Sequence, residues 1–174
     1  MIGKKGDHHK CESADSTGFQ PVNPWRSVEL GESKRQLPHL QTPQSTYFVT
    51  FRCRDGMSLP DEAKEIVMSA IRYWDEQRID LDAAVVMPDH VHAIFRVLED
   101  KPLGSVMQSI KGFSARTVNR VLGRKGALWL DESFDHIIRH EQEWEEKVVY
   151  IRNNPIKAGL VESWRRYPWL WIKG

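Results

Sequence analysis

The sequence predicts an α+β fold in which helices cover one face of an antiparallel sheet and a further helix follows at the C-terminal end. Three observations support this prediction. Short runs of β-branched and aromatic residues alternate with longer runs of helical period. Two of the short runs are joined by so few residues that they have to pair antiparallel. With 174 residues, of which 40% are hydrophobic and 28% charged, the chain has the size and composition of one globular domain.

The first strand and the first helix follow from local composition. The run Thr46–Cys53 is rich in aromatic and β-branched residues, which favour strands. Pro60 then opens a helix whose first turn carries Asp61 and Glu62, where acidic side chains suit the helix dipole. Apolar residues recur on one side of this helix, at Ile66, Val67, Ala70, Ile71 and Trp74.

A hairpin follows this helix. The short apolar run Ala83–Met87 is typical of a buried strand. Pro88 and Asp89 form a tight connection, after which Val91–Val97 is predicted as the next strand. Because the connection is so short, the two strands are expected to run antiparallel.

The rest of the domain completes the expected topology. A long helix is predicted over Leu103–Leu122, with Gly123 as its C-terminal stop. Ser133–Arg139 is predicted as a strand and Glu141–Asn153 as the last helix. We expect Pro155 to end that helix, because the residue before a proline disfavours the helical conformation. The resulting order, β-α-β-β-α-β-α, is the split βαβ, ferredoxin-like pattern plus one helix.

The chain divides into three parts by composition. Residues 1–44 are polar and lack a sustained period, so we expect a largely irregular tail and arm there. Residues 45–161 form the predicted domain, and residues 162–174 form a tryptophan-rich C-terminal segment. Neither a long apolar run nor a secretory signal occurs, so no membrane association is expected. The 2 cysteines cannot build a disulfide framework, which favours a reducing cytoplasm.

The net charge of +1 conceals an uneven distribution. Residues 101–125 contain 6 basic side chains and no acidic one, and residues 147–174 contain 6 basic side chains and 1 acidic one. The intervening residues 131–146 contain 7 acidic side chains. Basic blocks suit a polyanionic backbone, but solvated helix faces with local ion pairs explain the same pattern, so charge alone leaves both interpretations open.

Two histidines alternate on the second strand of the hairpin. Strand period two sends His90 and His92 to the same face, with Ile94 and Arg96 beyond them. Two imidazoles in that arrangement can hold one metal ion, although the polar rim of a half-buried sheet gives the same pattern. A second pair, His136 and His140, has ligand spacing for a helix but falls at a strand and a helix start, which favours ordinary surface histidines.

A tyrosine and an asparagine lie one turn apart on the last helix. The apolar stripe of this helix is formed by Trp144, Val148 and Ile151. Tyr150 and Asn154 are i and i+4 neighbours to one side of that stripe. Tyr150 can therefore pack its ring against the domain and present its hydroxyl outward, as an ordinary tyrosine at a core edge also does.

Taken together, these segments resemble a known family. Met87-Pro-Asp-His-Val-His-Ala-Ile-Phe95 resembles the HUH motif of single-tyrosine transposases. Tyr150-Ile-Arg-Asn-Asn-Pro-Ile-Lys-Ala-Gly-Leu-Val161 resembles the catalytic helix of REP-associated tyrosine transposases. The opening strand and the segment around Lys111-Gly-Phe-Ser-Ala-Arg-Thr-Val-Asn119 also fit this pattern. The resemblance covers about residues 35–161.

The resemblance implies both a fold and a chemistry. It implies a ferredoxin-like core in which His90, His92 and Asn154 hold a divalent cation, Mg²⁺ or Mn²⁺. It implies cleavage and joining of single-stranded DNA at palindromic, REP-like hairpins, with Tyr150 forming a covalent 5′-phosphotyrosine. It further implies a monomer rather than a dimer, in the bacterial cytoplasm and associated with the nucleoid. On this basis Lys111, Arg116 and Arg120 are candidates for phosphate contacts.

Two other functions remain open at this point. One is a metal-dependent hydrolase in which His90, His92 and either His136 or His140 hold the metal and Tyr150 is structural. The other is a domesticated module that binds DNA hairpins without cutting them. Only the transposase would form a covalent protein–DNA adduct, so trapping of that adduct separates it from the hydrolase, whereas the binding module would bind DNA hairpins and leave them uncut.

Overall fold

The structure, a computed structural model, describes residues 45–54, 56–98 and 102–174. The expected N-terminal tail and arm, residues 1–44, lie outside the described residues. The strands are β1 (Thr46–Cys53), β2 (Ile79–Val86), β3 (His90–Val97), β4 (Trp129–Ile138) and β5 (Leu170–Ile172). The helices are α1 (Asp61–Arg72), α2 (Leu103–Val121) and α3 (Glu141–Lys157), with a short 3₁₀ helix at Trp164–Arg166.

The strands form one antiparallel sheet in the order β4-β1-β3-β2-β5. The predicted α+β fold is therefore confirmed, as are the first strand and the antiparallel hairpin of β2 and β3. In the register between β1 and β3, Thr50 lies opposite His92 and Arg52 lies opposite His90. This pairing places side chains of β1 directly beside both histidines.

Helices cover both faces of the sheet. On one face, α1 and α2 pack over a core that includes Val91, Ala93 and Phe95 of β3. On the opposite face, α3 packs over a second core, whose buried members include Ile94 and Ile151. The alternation of β3 follows the prediction, but the histidine face is not a polar rim, because α3 covers it.

The last helix continues past the point at which its proline was predicted to stop it. We expected Pro155 to end the helix at Asn153, but α3 runs to Lys157 with Pro155 buried inside it. Near a helix end, a proline removes one backbone hydrogen bond and leaves the next turn intact. The turn is closed by the amides of Ala158 and Gly159, and Gly159, at φ 69°, is the actual stop.

Strand boundaries also differ from the prediction, because tertiary contacts extend the strands. β2 begins at Ile79 rather than Ala83, and β4 begins at Trp129 rather than Ser133. Trp129 is buried against Phe51 with ring centres 4.8 Å apart, and it pairs with Cys53 beyond an irregularity in the register.

The tryptophan-rich C-terminal segment adds a strand for which the sequence predicted none. Leu170–Ile172 pairs with the outer edge of β2. The buried hydroxyl of Tyr167 donates to the carbonyl of Val86 at 2.9 Å, and the Lys64 ammonium lies 3.6 Å from the centre of the Trp169 ring. None of the described helices is both long enough and apolar enough to cross a membrane.

Candidate functional site

The two histidines of β3 lie side by side on the sheet face that α3 covers. Their ring centres are 4.7 Å apart and the ring planes are inclined by 73°. His92 is almost fully buried, with 2% of its surface exposed, whereas His90 is partly exposed. The strand period thus brings both imidazoles to one place, as the sequence predicts.

His92 is held as a neutral imidazole. Burial lowers its pKa to about 3, and the nearby Arg52 guanidinium acts in the same direction. Its Nδ1 atom lies 2.7 Å from the Thr50 hydroxyl, and within the described residues its buried Nε2 atom has no hydrogen-bond partner. With the proton on Nδ1 and donated to Thr50, Nε2 keeps a free lone pair.

His90 is oriented by a carboxylate that is itself held in place. Its Nδ1 atom lies 2.6 Å from an oxygen of Asp89, and the other Asp89 oxygen accepts a bond from Arg52 at 3.0 Å. Burial alone would raise the pKa of Asp89, but the hydrogen bond from His90 and the Arg52 guanidinium bring it below its usual value. An ionised carboxylate only accepts, so Nδ1 of His90 carries the proton and Nε2 carries the lone pair.

Tyr150 lies against this pair. Its ring centre is 5.2 Å from that of His92 and 6.0 Å from that of Phe48. Phe48 also stacks on His92, with ring centres 5.4 Å apart and an angle of 17°. Tyr150 is partly exposed, so its ring packs on the domain while solvent still reaches the side chain.

Polar contacts fix the helix that carries Tyr150. The indole N–H of Trp144 donates to Asp82 on β2 at 2.9 Å. Glu143 accepts from the backbone N–H of Arg139 at the start of the helix and pairs with His136 on β4 at 2.6 Å. These bonds connect α3 to β2 and to β4, the strands that flank β1 and β3 in the sheet. They limit the movement of α3 across the histidines.

Asn154 is the remaining residue of the predicted metal site. Because α3 extends beyond it, Asn154 lies one helical turn after Tyr150 and on the same side of the helix. Among the described residues, no group of three or more His, Cys, Asp or Glu side chains could hold a metal ion. Asn154 carries an amide oxygen, a donor type that lies outside those four residue types.

The chemistry of these donors fits a divalent cation. The Nδ1 atoms of His90 and His92 are occupied by Asp89 and Thr50, which leaves Nε2 of each ring as the donor atom. A buried imidazole nitrogen without a hydrogen-bond partner is costly unless a ligand satisfies it. Neutral imidazole and amide donors also leave the full charge of the cation available to a phosphate.

The other histidines predicted as alternative ligands are not brought to this pair. His136 lies on β4, which β1 separates from β3, and it is engaged by Glu143. His140 is the residue that precedes the first turn of α3. The structure thus gives no support to a third histidine ligand from either position.

The predicted phosphate-binding residues lie elsewhere. Lys111, Arg116 and Arg120 all belong to α2, which packs on the face opposite the histidines. The Lys111 ammonium donates to the backbone carbonyls of Leu130 and Asp131, and burial lowers its pKa. Arg116 and Arg120 are exposed. The structure therefore does not bring these three residues together with Tyr150.

Sequence reasoning missed the residues that orient the histidines. Thr50, Arg52 and Phe48 share one face of β1 by simple alternation, and Asp89 directly precedes β3. That alternation is visible in the sequence, but the register that sets Thr50 opposite His92 is not.

Comparisons with known proteins agree on this region. A family model described as "Transposase IS200 like" matches residues 47–154. A REP-associated tyrosine transposase of Escherichia coli (strain K12) is 27% identical over 126 residues, which cover 71% of this chain and 73% of that protein. A solved structure of a REP-associated tyrosine transposase bound to a REP hairpin is similar with a TM-score of 0.64 and 25% identity, covering 78% of this chain and 81% of that one. The family match includes both histidines, Tyr150 and Asn154.

Proposed function

The chain belongs to the IS200-like transposase family, and from this we propose that it cleaves and rejoins single-stranded DNA at REP-like palindromic hairpins through a 5′-phosphotyrosine at Tyr150. The family match and the similarity to REP-associated tyrosine transposases confirm the resemblance seen in the sequence and identify a transposase, an enzyme of DNA cleavage and joining. The nucleophile, the metal and the hairpin substrate are the parts that we propose.

One observation supports the proposal above the others. Tyr150 packs its ring against His92, an imidazole whose buried Nε2 atom lacks a partner within the described part of the chain. A tyrosine whose hydroxyl can act as a nucleophile thus packs its ring against an imidazole whose lone pair can act as a ligand. A tyrosine that served only packing would not require an unsatisfied nitrogen next to it.

The chain would bring together both partners of a transesterification. The Tyr150 oxygen attacks the phosphorus of a phosphodiester, a new oxygen–phosphorus bond forms, and the bond from phosphorus to the 3′-oxygen breaks. The phenolic proton passes to solvent, and the departing 3′-oxygen takes a proton and leaves as a 3′-hydroxyl. The phosphotyrosine ester retains the energy of the broken bond, so a 3′-hydroxyl can later reverse the step and join two strands.

His90, His92 and Asn154 would hold the divalent cation, Mg²⁺ or Mn²⁺, through the two Nε2 atoms and the amide oxygen. Bound there, the cation supplies Lewis-acid stabilisation of negative charge on the phosphate oxygens. Thr50 and Asp89 keep the two rings in the tautomer that offers Nε2. The polar contacts of α3 hold Tyr150 near the proposed cation site. The entropy cost of orienting the nucleophile is thus met when the protein folds.

The substrate follows from the solved relative, which is bound to a REP hairpin. We propose that this chain also acts on hairpin DNA, and as a monomer. Arg116 and Arg120, exposed on α2, would contact phosphates away from the point of cleavage. Lys111 has two of its three donor hydrogens engaged by backbone carbonyls of the chain, so its share in DNA binding would be smaller.

The test is a trapping assay with the full chain. Hairpin oligonucleotides with single-stranded flanks are incubated with the protein, with and without Mg²⁺, and covalent adducts are resolved on denaturing gels. We expect an adduct from the wild type in Mg²⁺ and none from Tyr150→Phe, which keeps the ring contacts with His92 and Phe48 but lacks the hydroxyl. Cleavage without an adduct would indicate the hydrolase instead, and tight binding without cleavage would indicate a hairpin-binding module.

A further inference from the structure

The face of α3 that carries Tyr150 also carries two lysines. At about 100° per residue, Lys147, Tyr150, Asn154 and Lys157 fall within an arc of about 80° along this helix. Lys147 precedes Tyr150 by about one turn, and Lys157 follows it by about two. The nucleophile proposed above therefore lies in a row between two ammonium groups.

Both ammonium groups lie over aromatic rings of the site. The Lys147 nitrogen is 5.1 Å from the centre of the Phe48 ring, which itself stacks on His92. The Lys157 nitrogen is 5.7 Å from the centre of the Tyr150 ring. These contacts direct the two side chains along the helix towards the centre of the site rather than away from it.

Neither ammonium group is directly paired with a carboxylate in the part of the chain that the structure describes. In the described ranges, neither Lys147 nor Lys157 forms a salt bridge within 4.0 Å. Glu143, one turn before Lys147, interacts with the Lys147 charge at longer range, but its two oxygens are engaged by the backbone N–H of Arg139 and by His136. Two positive charges thus remain available beside a site that has to accept a polyanion.

We propose that Lys147 and Lys157 contact the DNA phosphates on either side of the scissile bond and so lay the single strand along α3. The proposal rests on the function proposed above, and it names the groups that bind the substrate at the point of attack. The basic residues predicted from the sequence lie on α2, on the other face of the sheet, and cannot fill this role. The two lysines would add affinity in the ground state and the transition state alike, so they would affect binding more than the chemical step.

A binding experiment tests the proposal without cleavage. In the Tyr150→Phe background, affinities for a hairpin oligonucleotide and for an oligothymidylate are measured against salt concentration. Each phosphate contact to a single strand contributes about 0.7 to the log–log salt slope. We expect Lys147→Met plus Lys157→Met to lower the slope by about 1.4 on both DNAs, while Lys147→Arg plus Lys157→Arg retains it. Lys125→Met, which removes an exposed charge beyond the end of α2, is the matched control.

A cleavage experiment separates substrate binding from support of α3. In single-turnover reactions with Tyr150 intact, the double methionine variant should need more DNA for half-maximal rate and reach nearly the wild-type rate at saturation. A salt slope equal to that of Lys125→Met would overturn the proposal. If the double variant unfolds, Lys157→Met alone decides, because that side chain is exposed and its loss leaves no cavity. Absence of an adduct from the wild type would refute the proposed function, whereas the salt slopes would still report on the lysines.

Discussion

Replacing Thr50 by valine should lower both the stability of the protein and the metal affinity of the proposed site. Valine has nearly the shape of threonine, so the change removes a hydroxyl from a position that is 3% exposed and creates no cavity. It also deprives Nδ1 of His92 of its partner at 2.7 Å. A buried polar atom left without a partner costs about 1–3 kcal/mol, so we expect a loss of stability of that size. For a protein of this length, that corresponds to a melting temperature lower by roughly 2–12 °C.

The effect on metal binding follows from the same bond. Without Thr50, the proton of His92 is free to move to Nε2, the atom that would face the cation. Loss of a supporting partner of a metal ligand typically lowers affinity about 10–100-fold. Mn²⁺ binding, measured by calorimetry or by the spectrum of the free ion, should show this loss without reference to DNA cleavage.

Two control variants show whether the loss of Mn²⁺ affinity comes from the hydrogen bond between Thr50 and His92. Thr50→Ser keeps the hydroxyl and should bind Mn²⁺ nearly as the wild type does. Thr46→Val removes a hydroxyl from the same strand and the same face, but at the end remote from the histidines, opposite Arg96. Wild-type Mn²⁺ affinity in Thr50→Val would refute the inference that this hydrogen bond sets the tautomer of His92.

Three further predictions follow from the site. Asn154→Ala should lower Mn²⁺ affinity about 10-fold or more, and a higher Mn²⁺ concentration should partly restore its cleavage. A metal titration of cleavage, with Tyr150→Phe titrated beside it, would show this. Wild-type metal dependence in Asn154→Ala would remove Asn154 from the ligand set. With a chelator present, stability should fall as the pH drops below about 6.5, because His92 has a pKa of about 3 in the folded protein and accepts a proton only on unfolding. Urea unfolding at pH 7 and pH 5 should show a loss of about 2 kcal/mol that is missing in His92→Gln, and an equal loss in both proteins would contradict the assignment. Arg116→Gln plus Arg120→Gln should lower the salt slope of hairpin binding by about 1.4 and leave adduct yield at saturating DNA unchanged; an unaltered slope would make this helix face an ordinary solvated one.

The sequence predicted the placement of the candidate site residues where that placement depends on local period. Strand alternation alone places His90 and His92 on one face, and helical spacing alone makes Tyr150 and Asn154 neighbours. The order of the elements through α3, read from the same periods, was also correct, and the antiparallel hairpin followed from the length of its turn. These features could be predicted because each is determined by residues that are close together in the sequence.

Features that depend on tertiary packing could not be predicted in the same way. Helical period does not say that α3 covers the histidine face, which turns His92 from a rim residue into a buried one. Local preference set the end of α3 before Pro155, but the proline is buried and the helix continues. Charge alone does not reveal that the Lys111 ammonium donates to two backbone carbonyls at the start of β4. In each case a contact between distant segments overrides the local signal.

The connection between β2 and β3 has a consequence for how the protein assembles. The two strands are joined by Met87, Pro88 and Asp89, and the amide of Met87 already bonds to the carbonyl of His90. Hairpins with such short turns close in about 1–10 μs, whereas pairing with the distant β5 and docking of α3 need much longer loops to close. Both histidines and Asp89 belong to this hairpin, so we expect the ligand pair to form early in folding. Tyr150 would join the two histidines only when the last helix docks, so the nascent chain would form the histidine pair before Tyr150, the proposed nucleophile, is in place.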